Sequence, residues 1–289
     1  MPKPDHLVGL LDLDQGPLGL GGLLIFLAEV LAMKKIWRAA TVELQLLSAG
    51  PETGMPLIEA VLPHIAGIDS WRYVAAFTVP EAGRQWPPDV SHHDWQSSVV
   101  LQRLYAEHGV RPELHMSQGL VDWAKAWLRD TCGGTWPIVV HLKNNPLVKG
   151  ESNAYFPAWH AFMADQLAFP VTFILIGSEL IDERITNLKN TIRAADFSLS
   201  LAQELALIEC AGAFMGMSSG PGNMAILGRA PYVLYKNRDH HAAAMERELA
   251  ARESFTFART GQRFLRERET RKSLTHEFSR LLAYARARV

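Results

Sequence analysis

Where an apolar run of this 289-residue chain stops, the residues that follow are repeatedly ones able to hold an anion or move a proton. The second half has four such ends: His141-Leu142-Lys143-Asn144-Asn145, Gly177-Ser178-Glu179, Ser218-Ser219-Gly220 and Lys236-Asn237. An open α/β sheet binds ligands beyond the carboxyl ends of its strands, so in a parallel order several of these meet in one cleft. The segment Ser218-Ser219-Gly220-Pro221-Gly222-Asn223 carries the most chemistry. Pro221 suits the first turn of a helix, where its missing N–H has no partner to lose. The other free backbone donors of that helix start, together with two serine hydroxyls, suit a diphosphate. Gly220 and Gly222 let an anion come close to the backbone. The same residues also read as a plain strand-to-helix connection with Ser219 as N-cap, and the local pattern leaves both readings open.

The flanking ends are ambiguous in the same way. Lys143 either neutralises phosphate charge or extends into water, and His141 is either a ligand contact or a buried histidine with its hydrogen bonds satisfied. Asp182-Glu183-Arg184, just beyond Glu179, reads as a surface turn. In the first half, "LDLDQGPLGLGG" (Leu11 to Gly22) is a strand, a glycine-rich turn and a helix start bearing the carboxylates Asp12 and Asp14.

Other chemistries fit less well. Gly19-Leu20-Gly21 has the first two glycines of a dinucleotide fingerprint but lacks the third, and the next strand ends on Ser48 rather than on an acid for ribose. His92-His93-Asp94, His108 and His115 have neither an HExxH pattern nor cysteine partners, so they read as scattered histidines rather than a metal site. Met217 stands where a nucleophile elbow needs glycine, which argues against a Ser219 hydrolase. Trp86 or Trp95, on a long loop, suits stacking on a sugar face.

These residues need a scaffold, and the apolar runs supply one. His6 to Leu13, Ala40 to Ser48 and Trp71 to Val79 read as strands, separated by helix-like segments at Leu23 to Lys35 and Met55 to Ile65. Pro80 to Asp94 reads as a loop, and helical spacing returns at Val99 to His108 and Leu120 to Leu128. "RDTCGGTWP" (Arg129 to Pro137) breaks the pattern and divides the chain into halves, 1–134 and 135–289. After it come strands at Pro137 to Leu142, Val171 to Gly177, Gly212 to Met217 and Pro231 to Tyr235. Helices are expected between them at Tyr155 to Leu167, Ser200 to Ala211 and Pro221 to Leu227. A β-α-β rhythm of this kind predicts parallel sheets with helices on both faces.

Composition sets the outer bounds. A chain 48% hydrophobic and 20% charged is globular rather than disordered. A net charge of -1 argues against a nucleic-acid partner. The arginines of "RERETRK" alternate with glutamates, as on a solvated helix. Two cysteines distant in sequence, Cys132 and Cys210, form no disulfide framework and point to a reducing, cytoplasmic setting. The apolar stretch Gly16 to Ala28 is too short to span a bilayer and follows acidic rather than basic residues, which is the wrong flank for export.

"LSLAQELALIECAGAFMGMSSGPGNMAILGRAPYVLYKN" (Leu199 to Asn237) resembles the nucleotide-sugar-binding half of GT-B glycosyltransferases, in the layout of the heptosyltransferase-like group. Ser219, Gly220, Pro221 and Ala225 match a D-S-G-P-x-H-x-A signature; Ser218 stands for its Asp and Asn223 for its His. The resemblance implies an α/β fold of two Rossmann-like domains facing a cleft, with the C-terminal segment Thr270 to Arg288 able to cross back. It implies a nucleotide diphosphate sugar as donor substrate, no tightly bound cofactor or metal, a glycan or lipid acceptor, and at most peripheral membrane contact. Donor binding would then fall to Ser218, Ser219, Gly220, Pro221, Gly222 and Asn223. His141 and Lys143 join them, in a "VVHLKNN" run similar to the H-x-R strand ends of some fucosyltransferases, and Glu179 lies near the nucleoside. Asp14 would be the general base that takes the acceptor hydroxyl's proton, though it also reads as the cap of its own turn. The two departures keep a non-catalytic nucleotide- or glycan-binding protein in view, and a sugar-nucleotide epimerase on the same fold is a third possibility.

Overall fold

The computed structural model describes residues 6–15, 18–48, 55–79, 83–147 and 152–287. The expected turn at Ala49-Gly50-Pro51, and Gly16-Pro17 of the glycine-rich turn, lie outside these. The chain divides into two compact units, Met1–Ser117 and Gln118–Val289.

In the first unit, β1 (His6–Asp12), α1 (Leu20–Trp37), β2 (Thr41–Leu47), α2 (Met55–Val61), β3 (Ser70–Val74), β4 (Arg84–Trp86) and α3 (Val99–His108) follow one another. The sheet order is β3-β2-β1-β4, with every pairing parallel. From Leu20 onward the apolar stretch that resembles an export signal in length is the N-terminal part of α1, and every residue from Leu23 to Met33 is buried. Such a helix is apolar all round because it sits inside a core, not because it meets lipid. Among the described residues no helix is long and apolar enough to cross a membrane.

The second unit runs α4 (Gln118–Cys132), β5 (Trp136–His141), α5 (Phe156–Asp165), β6 (Val171–Leu175), α6 (Glu183–Thr186), β7 (Thr191–Arg193) and α7 (Leu201–Cys210). It continues with β8 (Ala213–Met217), α8 (Gly220–Leu227), β9 (Tyr232–Tyr235), α9 (Ala242–Leu249), β10 (Gln262–Leu265) and α10 (Arg271–Arg286). Its parallel sheet has the order β10-β9-β8-β5-β6-β7. Strands β6, β8 and β9 are buried along their whole length, as unbroken apolar runs covered on both faces must be. Helix α4, which the sequence puts in the first half, packs on α7 and belongs to this unit. Helix α10, the segment expected to cross back, lies against α5 and buries Leu274, Phe278 and Leu281 in the same core as Trp159 and Phe162.

Three short strands were not legible in the sequence. β4 lies within the expected loop Pro80 to Asp94, and β7 and β10 carry no alternation of their own. At three or four residues each they are set by the edge that recruits them. The converse holds at β3, which ends at Val74 although the apolar run continues to Val79. Among the described residues no further strand lies beyond it to extend the ladder.

Candidate functional site at the strand ends of the second unit

The sheet order places β8 between β9 and β5, so three predicted strand ends become neighbours. His141 is in register with Gly216, and the Ser218 amide donates to the Tyr235 carbonyl at 2.9 Å. Gly216 is required by that closeness: a Cβ there would come 2.4 Å from the His141 carbonyl oxygen.

Ser219 is the N-cap residue of α8, yet its side chain makes no capping bond. Its Oγ lies 2.9 Å from His141 Nδ1 instead, and His141 Nε2 lies 3.1 Å from Glu179 Oε1. With the ring neutral, Nε2–H donates to Glu179 and Nδ1 accepts the serine proton. With the ring protonated, Nδ1–H donates to Ser219 and turns the serine hydroxyl outward as a donor. In either state the hydroxyl is withdrawn from the helix end. Pro221 has no N–H, and the amides of Gly220, Gly222 and Asn223 receive no side-chain cap. A helix start left in this condition is a site for an anion.

The chain is tightly built around His141, which is 3% exposed. Gly177 has φ +95°, and a Cβ on it would come 2.3 Å from Glu179 Oε2 and 3.0 Å from the imidazole. Its amide donates to Glu204 Oε1 of α7 at 3.1 Å. Burial works to raise the Glu179 pKa, but the hydrogen bond and charge of His141, helped by Lys143, outweigh it and hold the carboxyl below its ordinary range. Burial raises Glu204 above its ordinary range, against the opposing pull of the Gly177 amide and His141, and Glu179 adds to the rise. The two carboxyls beside one imidazole are thus pushed in opposite directions.

Lys143 is half-buried at the end of β5. Its loop is pinned by the Ala154 amide to the Lys143 carbonyl (2.8 Å), by the Asn145–Asn153 pair, and by Asn144 Nδ2 donating to the Leu180 carbonyl (2.6 Å). Gly222 is buried, and a Cβ there would meet Leu234 at 3.1 Å, so its missing side chain serves the approach of α8 to β9. Only its amide is left for a ligand. Asn223 and Pro221 are half-buried at the same helix start.

Asp14 belongs to the first unit, exposed in the short 3-10 turn after β1, where its amide donates to Asp12 Oδ1 at 3.0 Å. Asp12, not Asp14, therefore supplies the carboxylate that closes the turn. Trp86 and Trp95 are packed rather than presented to a sugar. Trp86 is 6% exposed and donates to Glu29, while Trp95 sits edge-on to Phe26 and His93. His93 pairs with Glu29 and His92 with Asp89, so the histidine run is split between core and surface.

Sequence reasoning missed Glu204 and the depth of Lys236. Glu204 could have been found, because it stands on the same helical face as Leu201, Leu207 and Ile208. Lys236 was visible as a strand end, but not as a residue 7% exposed. A cavity of about 680 Å³ opens near the end of β10, lined by Arg238, Glu246, Arg252, Glu253, Arg266 and Glu267 among others. Its mixed charges and its lack of any strand-end residue of β5, β6 or β8 separate it from the cradle at α8. Among the described residues no group of three His, Cys, Asp or Glu stands close enough to hold a metal ion.

No protein-family model matches the sequence, and no curated protein matches it. Solved structures do. The Escherichia coli ADP-heptose lipopolysaccharide heptosyltransferase II superposes with a TM-score of 0.59 at 12% identity, over 97% of this chain and 99% of that one. A family 9 glycosyl transferase from Veillonella parvula gives 0.54 at 10% identity, over 92% and 86%. The iron-containing dodecameric heptosyltransferase TibC of E. coli, in complex with ADP-D-β-D-heptose, gives 0.53 at 11% identity, over 98% and 77%. At these identities the likeness establishes the fold: an α/β chain with two parallel sheets, of the GT-B glycosyltransferase type.

Proposed function

We propose that this protein transfers a sugar from a nucleotide diphosphate donor to a hydroxyl acceptor on a glycan or glycolipid. The observation that carries this reading is the helix start of α8, whose N-cap serine is turned away to His141 so that its amides are left for an anion. The donor diphosphate binds at Ser218 to Asn223, its charge balanced by the helix dipole and by Lys143. The Ser219–His141–Glu179 chain sets which way the serine hydroxyl points: an imidazolium frees it to donate to a phosphate oxygen. Glu179 is assigned to the nucleoside side of the donor.

In the transfer the acceptor oxygen bonds to the anomeric carbon as the bond from that carbon to the diphosphate breaks. The acceptor's proton passes to a carboxylate, and Asp14 is the residue assigned to it. The nucleoside diphosphate leaves with its negative charge held at the α8 start, without a tightly bound metal. That ADP-heptose occupies one protein of this fold supports a nucleotide-sugar donor as a class. A cytoplasmic setting with at most peripheral membrane contact is part of this reading.

Calorimetric titration of the full chain with ADP, GDP and UDP, with and without magnesium, tests the site, and transfer of radiolabelled sugar tests the chemistry. Binding of one nucleotide diphosphate is expected. Asp14→Ala should retain that binding and lose about 10²- to 10⁴-fold in transfer rate, the usual contribution of a general base. Transfer that survives Asp14→Ala would remove Asp14 from the mechanism, and no binding of any nucleotide would sink the reading.

A second reading has its own observation. Ser218 and Asn223 replace the Asp and His of the signature that this segment resembles. A protein that binds the nucleotide sugar without turning it over would show nucleotide binding with no transfer and no donor hydrolysis.

A further inference from the structure

Lys236 follows the last residue of β9 and is 7% exposed. Burial is costly for a cation. Its surroundings add to that cost. Lys143 from the end of β5 and Arg266 from the end of β10 repel it, and Glu248 of α9 attracts it. His240 and His241, whose rings are tilted by 38° with centroids 4.1 Å apart, feel both Lys236 and Lys143 as further positive charge. Arg266 Nε is buried without a partner, its Nη2 being occupied by the Arg238 carbonyl.

Lys236 and Lys143 flank the α8 start. Tyr235, the residue before Lys236, accepts the Ser218 amide, and the order β9-β8-β5 puts Lys236 on one side of that start and Lys143 on the other. We infer that Lys236 is a ligand-binding residue for a diphosphate: with Lys143 it holds the phosphate group that a nucleoside diphosphate has and a monophosphate lacks. Naming a nucleoside diphosphate rests on the function proposed above, whereas the anion subsite does not. The physical reason is charge balance. One phosphate is matched by the partial charge of a helix start, but a second brings further negative charge, for which the two lysines supply a place.

A pH dependence follows from the same geometry. Burial first, then repulsion by Lys143 and Arg266, outweighs attraction by Glu248 and brings Lys236 down to about 8 in the empty protein. Burial first, then repulsion by Lys236, His241 and Lys143, brings His240 down to about 4. A bound anion raises the lysine again. Below pH 8 the ammonium is already charged and binding takes up little; above pH 8 binding must recharge it. Affinity therefore falls as pH rises through about 8, and protons are taken up on binding in that range.

The test is calorimetry on the full chain at pH 7 with ADP, AMP and inorganic pyrophosphate, repeated at pH 8.5 in buffers of different ionisation enthalpy. Lys236→Met should weaken ADP and pyrophosphate by about tenfold or more and AMP by less than about threefold, and should abolish proton uptake at pH 8.5. Lys236→Arg, which keeps the charge, should retain ADP binding and lose the pH dependence; its circular dichroism and that of Lys236→Met check the fold. Unchanged ADP and pyrophosphate binding in Lys236→Met, equal losses for AMP and ADP, or no pyrophosphate binding by the wild type would each overturn the inference. Pyrophosphate binding that depends on Lys236, in a protein that binds none of ADP, GDP or UDP, would leave the subsite standing and remove the nucleotide-sugar reading instead.

Discussion

Ser219 Oγ stands 2.9 Å from one nitrogen of His141, and the other nitrogen stands 3.1 Å from Glu179, so three residues from three strand ends share two protons. The serine has two possible duties, capping α8 or pairing with His141, and the structure chooses the second. Ser219→Ala should therefore leave helix α8 almost as stable as before, since no cap is lost. It should weaken nucleoside diphosphate binding by about five- to tenfold, the worth of one hydrogen bond of about 1–1.5 kcal/mol to a charged or partly charged group. Calorimetry and a urea melt on the same variant separate the two. A variant that loses stability but binds normally would mean that the serine is only structural. Sequence could name Ser219 because hydroxyls before a Gly-Pro-Gly helix start are a local pattern. It could not say where the hydroxyl points, because His141 lies 78 residues away along the chain.

Among the elements, α1 is the one whose sequence is most easily misread. It is apolar all round, and one carboxylate, Glu29, lies fully buried within it. Trp86 Nε1 donates to that carboxylate at 3.0 Å, and His93 Nε2 lies 2.8 Å from the same oxygen. Through these contacts, and through Gln15 Nε2 donating to the Val90 carbonyl at 3.2 Å, the segment from Trp86 to Trp95 is tied to α1 and to the turn that carries Asp14. Glu29→Ala leaves the buried Trp86 ring nitrogen without its acceptor and removes the carboxylate beside His93, and should cost about 2–4 kcal/mol of stability by urea denaturation. A cost below about 1 kcal/mol would show that the loop is held by packing alone. The tryptophans the sequence offered as sugar platforms are spent on this anchoring, and a composition argument had no means of knowing it.

For the molecule as a whole, the function proposed makes the fold a ligand-linked equilibrium. A nucleoside diphosphate at a hundred times its dissociation constant should stabilise the protein by about 2.7 kcal/mol. A thermal melt with ADP, GDP and UDP should therefore move upward with the nucleotide that binds and stay still with the others. A panel that moves no transition contradicts the site at α8 directly. The sequence by itself determined the class of this protein: unbroken apolar runs separated by helical spacing make parallel sheets, and the polar residues that end those runs mark the ligand side. Those are local signals, because strand and helix periods are written in neighbouring residues. The tertiary structure alone decided which strand ends meet, since the order β9-β8-β5 is not the order of the chain. It also decided that three-residue edges such as β4 exist, and that Lys236 is a buried cation rather than a surface one. Burial and pairing are sums over residues far apart in sequence, so they are settled only when the chain has closed on itself.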